Sequence, residues 1–150
     1  MTTVPEALVS RVRSSSRQLV RELGFMGKTL AGTNLPASAV HAIIEIGTTD
    51  GLTAKQLSDK LLLEKSTVSR LLKGLKTRGE IAETRSEIDA RAKRLALTPQ
   101  GEQTLKAIVA FAGPRVSNAL SRLGEGQRAQ VSDALEAYAN ALAQCRAGAT

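Results

Sequence analysis

The spacing of apolar residues between positions 65 and 78 is the feature that most restricts how this chain can fold. The apolar positions recur at i, i+3, i+4 and i+7, and they are Val68, Leu71, Leu72 and Leu75. This spacing predicts an amphipathic helix with one buried face, and the glycine at position 79 is expected to end it. The opposite face is polar and holds Ser66, Arg70, Lys73 and Thr77, with Thr67 and Ser69 beside it.

A shorter helix precedes this one, and a tight turn joins the two. The segment Thr53-Ala-Lys-Gln56 reads as a capping box, in which the threonine and glutamine side chains satisfy each other's exposed backbone donors. The helix that follows is expected to bury Ala54, Leu57 and Leu61, and residues 62–64 form the turn. Two short helices in this arrangement indicate a helix-turn-helix.

Two short strands are expected directly after the helix pair. They are Ile81–Arg85 and Arg94–Thr98, and the segment between them is a basic hairpin loop. The apolar residues of the strands, Ile81, Leu95 and Leu97, provide a face that packs on the helices. A strand–loop–strand after a helix-turn-helix makes a wing, so the pattern predicts a winged helix.

The rest of the chain reads as helix. We expect a long first helix over residues 5–31 and a second one that begins at Pro36 and ends at Gly47. From Pro99 an apolar stripe predicts a further helix, which Gly113-Pro114 is expected to kink or break. A last helix spans about 127–145. The fold class is therefore mainly α with a small β wing.

Basic residues are concentrated in the middle third of the chain. The net charge is +7, and residues 53–98 contribute +5 of it, with eleven basic and six acidic side chains. A local excess of this size favours an anionic partner. Aromatic residues make up only 2% of the chain, so few side chains can stack on the bases of a single-stranded nucleic acid. The expected partner is double-stranded DNA.

Several classes of protein are excluded by what the sequence lacks. One cysteine, Cys145, and one histidine, His41, are too few for a zinc finger or a disulfide framework, and we expect packing roles for both. The sequence holds no apolar run of membrane-spanning length, no secretory signal, and no phosphate-loop or nucleophile motif. We therefore expect a cytoplasmic protein that is not an enzyme, binds no metal or cofactor, and does not associate with membranes.

The polar helix face and the wing together form the candidate binding site. A helix of this kind fits the major groove, where Arg70 can contact guanine with two hydrogen bonds. A basic wing tip suits the narrower minor groove. The residues expected to contact DNA, or to hold those that do, are Lys65, Ser66, Thr67, Ser69, Arg70, Lys73, Thr77, Arg85, Asp89, Arg91, Lys93 and Arg94.

These segments also resemble a known family. The stretches that carry the resemblance are LTAKQLS from Leu52, EKSTVSRLLKGLKTRG from Glu64, Asp89-Ala-Arg91, and LALTPQG from Leu95. They are similar to the MarR (multiple antibiotic resistance regulator) family over nearly the whole chain. Asp-x-Arg in the wing, followed by Leu-Thr-x-x-Gly, is the most specific part. The chain also resembles the regulator half of MarR proteins fused to an acetyltransferase, whose activity does not carry over to this sequence.

The resemblance implies a single homodimeric domain over residues 1–150. Its winged helix spans 35–98, and the terminal segments 1–34 and 99–150 build the dimer. In the family, the residue at Arg91 reaches the minor groove and the acid at Asp89 holds it by an ion pair. A small-molecule effector often binds between the dimer helices and the winged helix.

The sequence therefore predicts a ligand-responsive repressor that binds a pseudo-palindromic operator as a homodimer. Helices at both ends carry apolar stripes that the winged helix alone cannot cover, and a two-fold dimer would cover them. The alternative is a basic module that binds proteins, membrane surfaces or DNA without sequence preference. Gly113-Pro114, the lack of a cysteine in the first helix and the scarcity of aromatic residues depart from the family pattern.

Overall fold

The computed structural model describes residues 2–85, 88 and 91–149. Within them the elements are α1 (Glu6–Glu22), α2 (Ala37–Thr48), α3 (Ala54–Leu61), α4 (Lys65–Thr77), β1 (Ile81–Arg85), β2 (Lys93–Leu97), α5 (Pro99–Ser121) and α6 (Glu125–Gly148). The expected fold class, mainly α with a two-stranded wing, is confirmed. The chain forms two compact units, Met1–Phe111 and Ala112–Thr150.

The core of the first unit lies where α2, α3 and α4 meet the sheet. Ile43 and Leu57 are fully buried, and Val68 is 1% exposed. Leu95 of β2 closes the core from the sheet side. Each helix contributes its apolar stripe, so burial of these aliphatic side chains stabilises the arrangement without any aromatic residue at its centre.

The two strands form an antiparallel hairpin. Ile81 pairs with Leu97, and Arg85 pairs with Lys93. The first strand has the predicted bounds, and the second begins and ends one residue earlier than predicted. The backbone N–H of Leu95 also donates to the carbonyl of Leu52 at 2.8 Å, which ties the segment before α3 to the sheet.

The first helix is shorter than the sequence pattern predicts. α1 ends at Glu22, so the expectation of one helix over residues 5–31 is wrong. Gly24 has a φ of +85°, a left-handed conformation that takes the chain out of the helix. No residue of α1 is buried.

Gly113-Pro114 is expected to kink or break the helix. A break is absent, because α5 runs from Pro99 to Ser121 with Pro114 inside it, and the kink stays a prediction. Proline removes the hydrogen bond to the carbonyl of Ala110, and both residues are exposed, so water can satisfy that oxygen. α6 is longer than predicted, and it has no buried residue within its unit. Among the described residues, no helix has both the length and the apolar character needed to cross a membrane.

Candidate nucleic-acid interface

The predicted capping box at the start of α3 is present. The backbone N–H of Gln56 donates to the Thr53 hydroxyl oxygen at 3.2 Å, and the N–H of Thr53 donates to the Gln56 side-chain oxygen at 2.9 Å. Leu57 is fully buried and Leu61 half-buried, as expected. Ala54 is exposed, so its predicted burial is wrong. It lies in the first turn, and the apolar stripe of α3 begins only at Leu57.

The turn between α3 and α4 is fixed by its backbone. Leu62 ends α3 in the left-handed region, with a φ of 55°. The hydroxyl of Ser58 donates to the carbonyl of Leu63 at 2.6 Å and closes the turn. A non-glycine residue in this conformation costs some conformational energy, so this geometry is held by the packing on either side.

α4 buries one face and exposes the other, as predicted. Val68, Leu72 and Leu75 are 1–3% exposed, and Leu71 is half-buried. On the other side, Lys65, Ser66, Ser69, Arg70, Lys73 and Thr77 are all exposed, while Thr67 is half-buried. The predicted polar side chains of this helix thus lie together on one accessible surface, which we call the α4 face.

Two details qualify the α4 face. The hydroxyl of Thr77 donates to the carbonyl of Lys73 at 2.9 Å, so its proton is used in a hydrogen bond within the helix. A Cβ at Gly74 would meet nothing within 4 Å, so the space beside the helix at that position is open.

The basic residues of the wing differ in how far their side chains are exposed to solvent. Arg85, Arg91 and Lys93 are exposed. Arg94 is half-buried, and its guanidinium donates to the carbonyl of Gly51 at 2.9 Å. This side chain links the wing to the loop before α3, and its contact with DNA stays a prediction. The predicted pairing of Asp89 with Arg91 lies outside the described residues.

Glu83 is a residue of this surface that the sequence reasoning missed. Its carboxylate accepts a hydrogen bond from Lys76, and its second oxygen lies 3.6 Å from the ammonium of Lys93. The hydrogen bond from Lys76 lowers the pKa of Glu83 below its ordinary value, and the charges of both lysines add to this against the effect of burial. The sequence signal for this role was the spacing of Glu83, two positions after apolar Ile81. That spacing places an acidic side chain on the inward face of a predicted strand.

A second missed residue, Glu80, joins α4 to α5. It is 7% exposed, and its carboxylate accepts hydrogen bonds from Thr104 at 2.7 Å and Gln100 at 3.2 Å. The hydroxyl of Thr98 accepts from the N–H of Gly101 at 3.0 Å and so caps α5. The Leu-Thr-x-x-Gly segment therefore anchors the start of α5 to the end of α4.

His41 and Cys145 are both exposed. The ring of His41 meets Phe25 edge to face at 5.6 Å, beside a pocket of about 130 Å³ that Leu61 and Leu63 also line. In the part of the chain that the structure describes, no three His, Cys, Asp or Glu residues gather where they could hold a metal ion.

Comparison with known proteins gives one family match. Residues 33–92 match the model of the MarR family. This range contains α2, α3, α4 and β1, and it ends just before β2. A search of curated proteins finds no significant match.

Solved structures with the same fold extend over nearly the whole chain. FabT of Streptococcus pneumoniae, solved in complex with DNA, has a TM-score of 0.80 at 23% identity, covering 91% of this chain and 99% of its own. A MarR transcriptional regulator from Methanosarcina mazei Go1 has a TM-score of 0.70 at 22% identity, covering 91% and 98%.

A third structure, BpsR of Bordetella bronchiseptica, has a TM-score of 0.67 at 18% identity, covering 88% of this chain and 98% of its own. Its DNA binding is described as regulated by 6-hydroxynicotinic acid. At these identities the likenesses show the fold. None of the three is described as fused to an acetyltransferase, so that expected likeness has no support from them.

Proposed function

We propose that this chain, whose residues 33–92 match the model of the MarR family, is a transcription regulator that binds double-stranded DNA. The observation that carries the proposal is the α4 face. Six exposed polar side chains of α4 make up this face, three apolar residues of the same helix are buried, and the basic wing follows directly in the chain. A helix with this surface has the width and the donors that the major groove accepts.

The exposed residues divide between two roles. Arg70 donates to the O6 and N7 acceptors of guanine, and this contact carries sequence information. Lys65, Lys73 and the hydroxyls of Ser66, Thr67 and Ser69 contact phosphates or base edges and fix the register of the helix. Thr77 donates its hydroxyl proton to Lys73, so its oxygen is left to accept from a base edge. In the wing, Arg91 enters the minor groove, while Arg85, Lys93 and Arg94 approach the flanking backbone, with Asp89 holding Arg91.

We further infer that the active form is a homodimer. Two apolar surfaces, one in each unit, support this. In the first unit, α1 exposes Leu8, Leu19 and Val20 by 42–47%. In the second, Val131, Leu135, Tyr138 and Leu142 form a stripe on α6 and are 37–53% exposed. Burial of such surfaces against a second copy is favourable, and a two-fold dimer presents two α4 faces to half-sites one DNA turn apart. The terminal segments 1–34 and 99–150 supply this interface.

The same proposal includes control by a small molecule and repression of transcription. Regulation of BpsR by 6-hydroxynicotinic acid supports an effector, since BpsR shares this fold. An effector that binds the DNA-free protein more tightly than the DNA-bound protein lowers the affinity for DNA. The factor equals the ratio of the effector's affinities for the two forms.

Selection of bound duplexes from a random pool tests the proposal. We expect enrichment of a motif with two inverted half-sites. The alternative is a basic module that binds DNA, membranes or proteins without sequence preference, and it predicts that the pool is retained without enrichment. Repeating the selection with aromatic carboxylic acids present tests the effector, which should lower recovery of the motif.

A further inference from the structure

Glu83 lies between two lysines at the base of the wing. It follows Ile81 by two residues on β1, so the two side chains share one face of the strand. Ile81 is buried and Glu83 is half-buried. The carboxylate holds Lys76 of α4 with one oxygen and Lys93 of β2 with the other. A single acid thus connects α4 to both strands of the wing.

Both lysines stay accessible although they are paired. Their side chains are 39% and 64% exposed, whereas that of Glu83 is 25% exposed. Lys76 lies seven residues after Ser69, two turns along the same side of α4, and so borders the α4 face. A phosphate close to this face can therefore reach both ammonium groups, with the carboxylate beneath them.

We propose that Glu83 sets the strength and the salt dependence of duplex binding, because its carboxylate occupies Lys76 and Lys93 and limits the phosphate contacts available to any duplex. This proposal rests on the proposed function and deepens it. The occupied pair carries a net charge of +1 where the two lysines alone would carry +2.

The physical reason is that the two parts of DNA affinity depend on different groups. Binding without sequence preference grows with each phosphate that a lysine neutralises, since condensed counterions are released. Base readout depends on donors such as Arg70. An acid among the lysines weakens the first part equally for every sequence and leaves the second unchanged. It therefore lowers the affinity for motif and scrambled duplex alike and makes binding to both less dependent on salt.

The test compares the full-length chain with Glu83→Gln, which keeps the shape of the side chain and removes its charge. Glu45→Gln is the matched control, because Glu45 also pairs with a lysine of another helix, Lys60, at 3.4 Å. Both variants add one positive charge. Affinities are measured by fluorescence anisotropy on a duplex bearing the selected motif and on a scrambled duplex, over a series of KCl concentrations.

For Glu83→Gln we expect tighter binding to the scrambled duplex at low salt and a steeper dependence on salt. One added phosphate contact steepens the slope by about 0.9 and makes the affinity lost between 50 and 200 mM salt about threefold larger. The affinity for the motif duplex should rise by a similar factor, so the ratio of affinities for motif and scrambled duplex should stay the same. Glu45→Gln should change neither the affinities nor the salt slope.

A second variant separates charge from wing geometry. Glu83→Gln combined with Lys76→Gln should return the salt slope to that of the unmodified chain, which a merely structural role of Glu83 does not predict. Equal salt slopes and equal affinities for the unmodified chain and Glu83→Gln would overturn this proposal alone. If the unmodified chain enriches no motif or binds no duplex, the proposed function fails and this proposal falls with it.

Discussion

The hydroxyl of Thr104 donates a 2.7 Å hydrogen bond to the carboxylate of Glu80. Among the residues that the structure describes, Glu80 is the charged residue that is buried. Gln100 donates to the other carboxylate oxygen at 3.2 Å. Burial of a carboxylate is unfavourable without such donors, so these bonds hold the turn between α4 and β1 against the first turns of α5. The winged helix and α5 are therefore fixed to each other at this point.

Removal of one donor should destabilise this junction. Thr104→Val leaves a carboxylate oxygen of Glu80 without its shorter hydrogen bond, and we expect a loss of about 1–3 kcal/mol in the free energy of unfolding. Thr104→Ser keeps the hydroxyl and should cost less. Urea unfolding followed by circular dichroism measures both, and a Thr104→Val variant as stable as the unmodified chain would contradict this account of the junction.

Gly101 is predicted to tolerate no side chain. A Cβ at this position would clash with the backbone oxygen of Glu80, so either α5 or the turn between α4 and β1 must move. We expect Gly101→Ala to cost about 1–3 kcal/mol or more in thermal or urea unfolding, although alanine is the better helix former. Gly74→Ala is the matched control, because its Cβ meets nothing within 4 Å and should stabilise α4 by up to about 1 kcal/mol. Equal effects of the two substitutions would refute the steric argument.

Arg70 is predicted to read bases. Arg70→Ala should weaken binding to the selected duplex by about 1–3 kcal/mol and relax the preference at one position of the motif. Arg13→Ala removes the same charge from α1, outside the winged helix, and should leave the preference intact. Repeating the selection with each variant measures this. A uniform loss on all sequences for Arg70→Ala would assign this residue to phosphate contact instead.

The apolar stripe of α6 is predicted to lie in the dimer interface. Sedimentation at micromolar concentration should give about 32 kDa, twice the mass of the 15.9 kDa chain. Leu135→Glu, at a position 50% exposed on the stripe, should shift the protein to the monomer because it places a charge in a buried interface. Ser132→Glu adds the same charge beside the stripe and should not. A monomeric unmodified chain would exclude the dimer.

The helix-turn-helix was predictable because its signals are local. The capping box of Thr53 and Gln56, the apolar stripe of α4 and the glycine at position 79, with a φ of +77°, each follow from residues close together in the chain. The error at α1 is local as well, since apolar residues continue at helical spacing past Gly24 and mask the turn there.

The roles of Glu80 and Glu83 were not predictable in the same way. Each depends on partners in other elements, such as Thr104 in α5 or Lys93 in β2. Single-sequence periodicity identifies the buried face of an element but not the polar group that it meets there. The sequence provides only the net charge of residues 53–98, whereas the structure shows that Glu83 pairs with two of the lysines in that segment.

A competition titration tests the central claim most directly. The unmodified chain is bound to a labelled duplex that carries the selected motif, and unlabelled motif or scrambled duplex is added at fixed salt. The account predicts that the motif competes at least about a thousandfold better than the scrambled sequence, as expected for base readout by the α4 face. Equal competition by the two duplexes would contradict it.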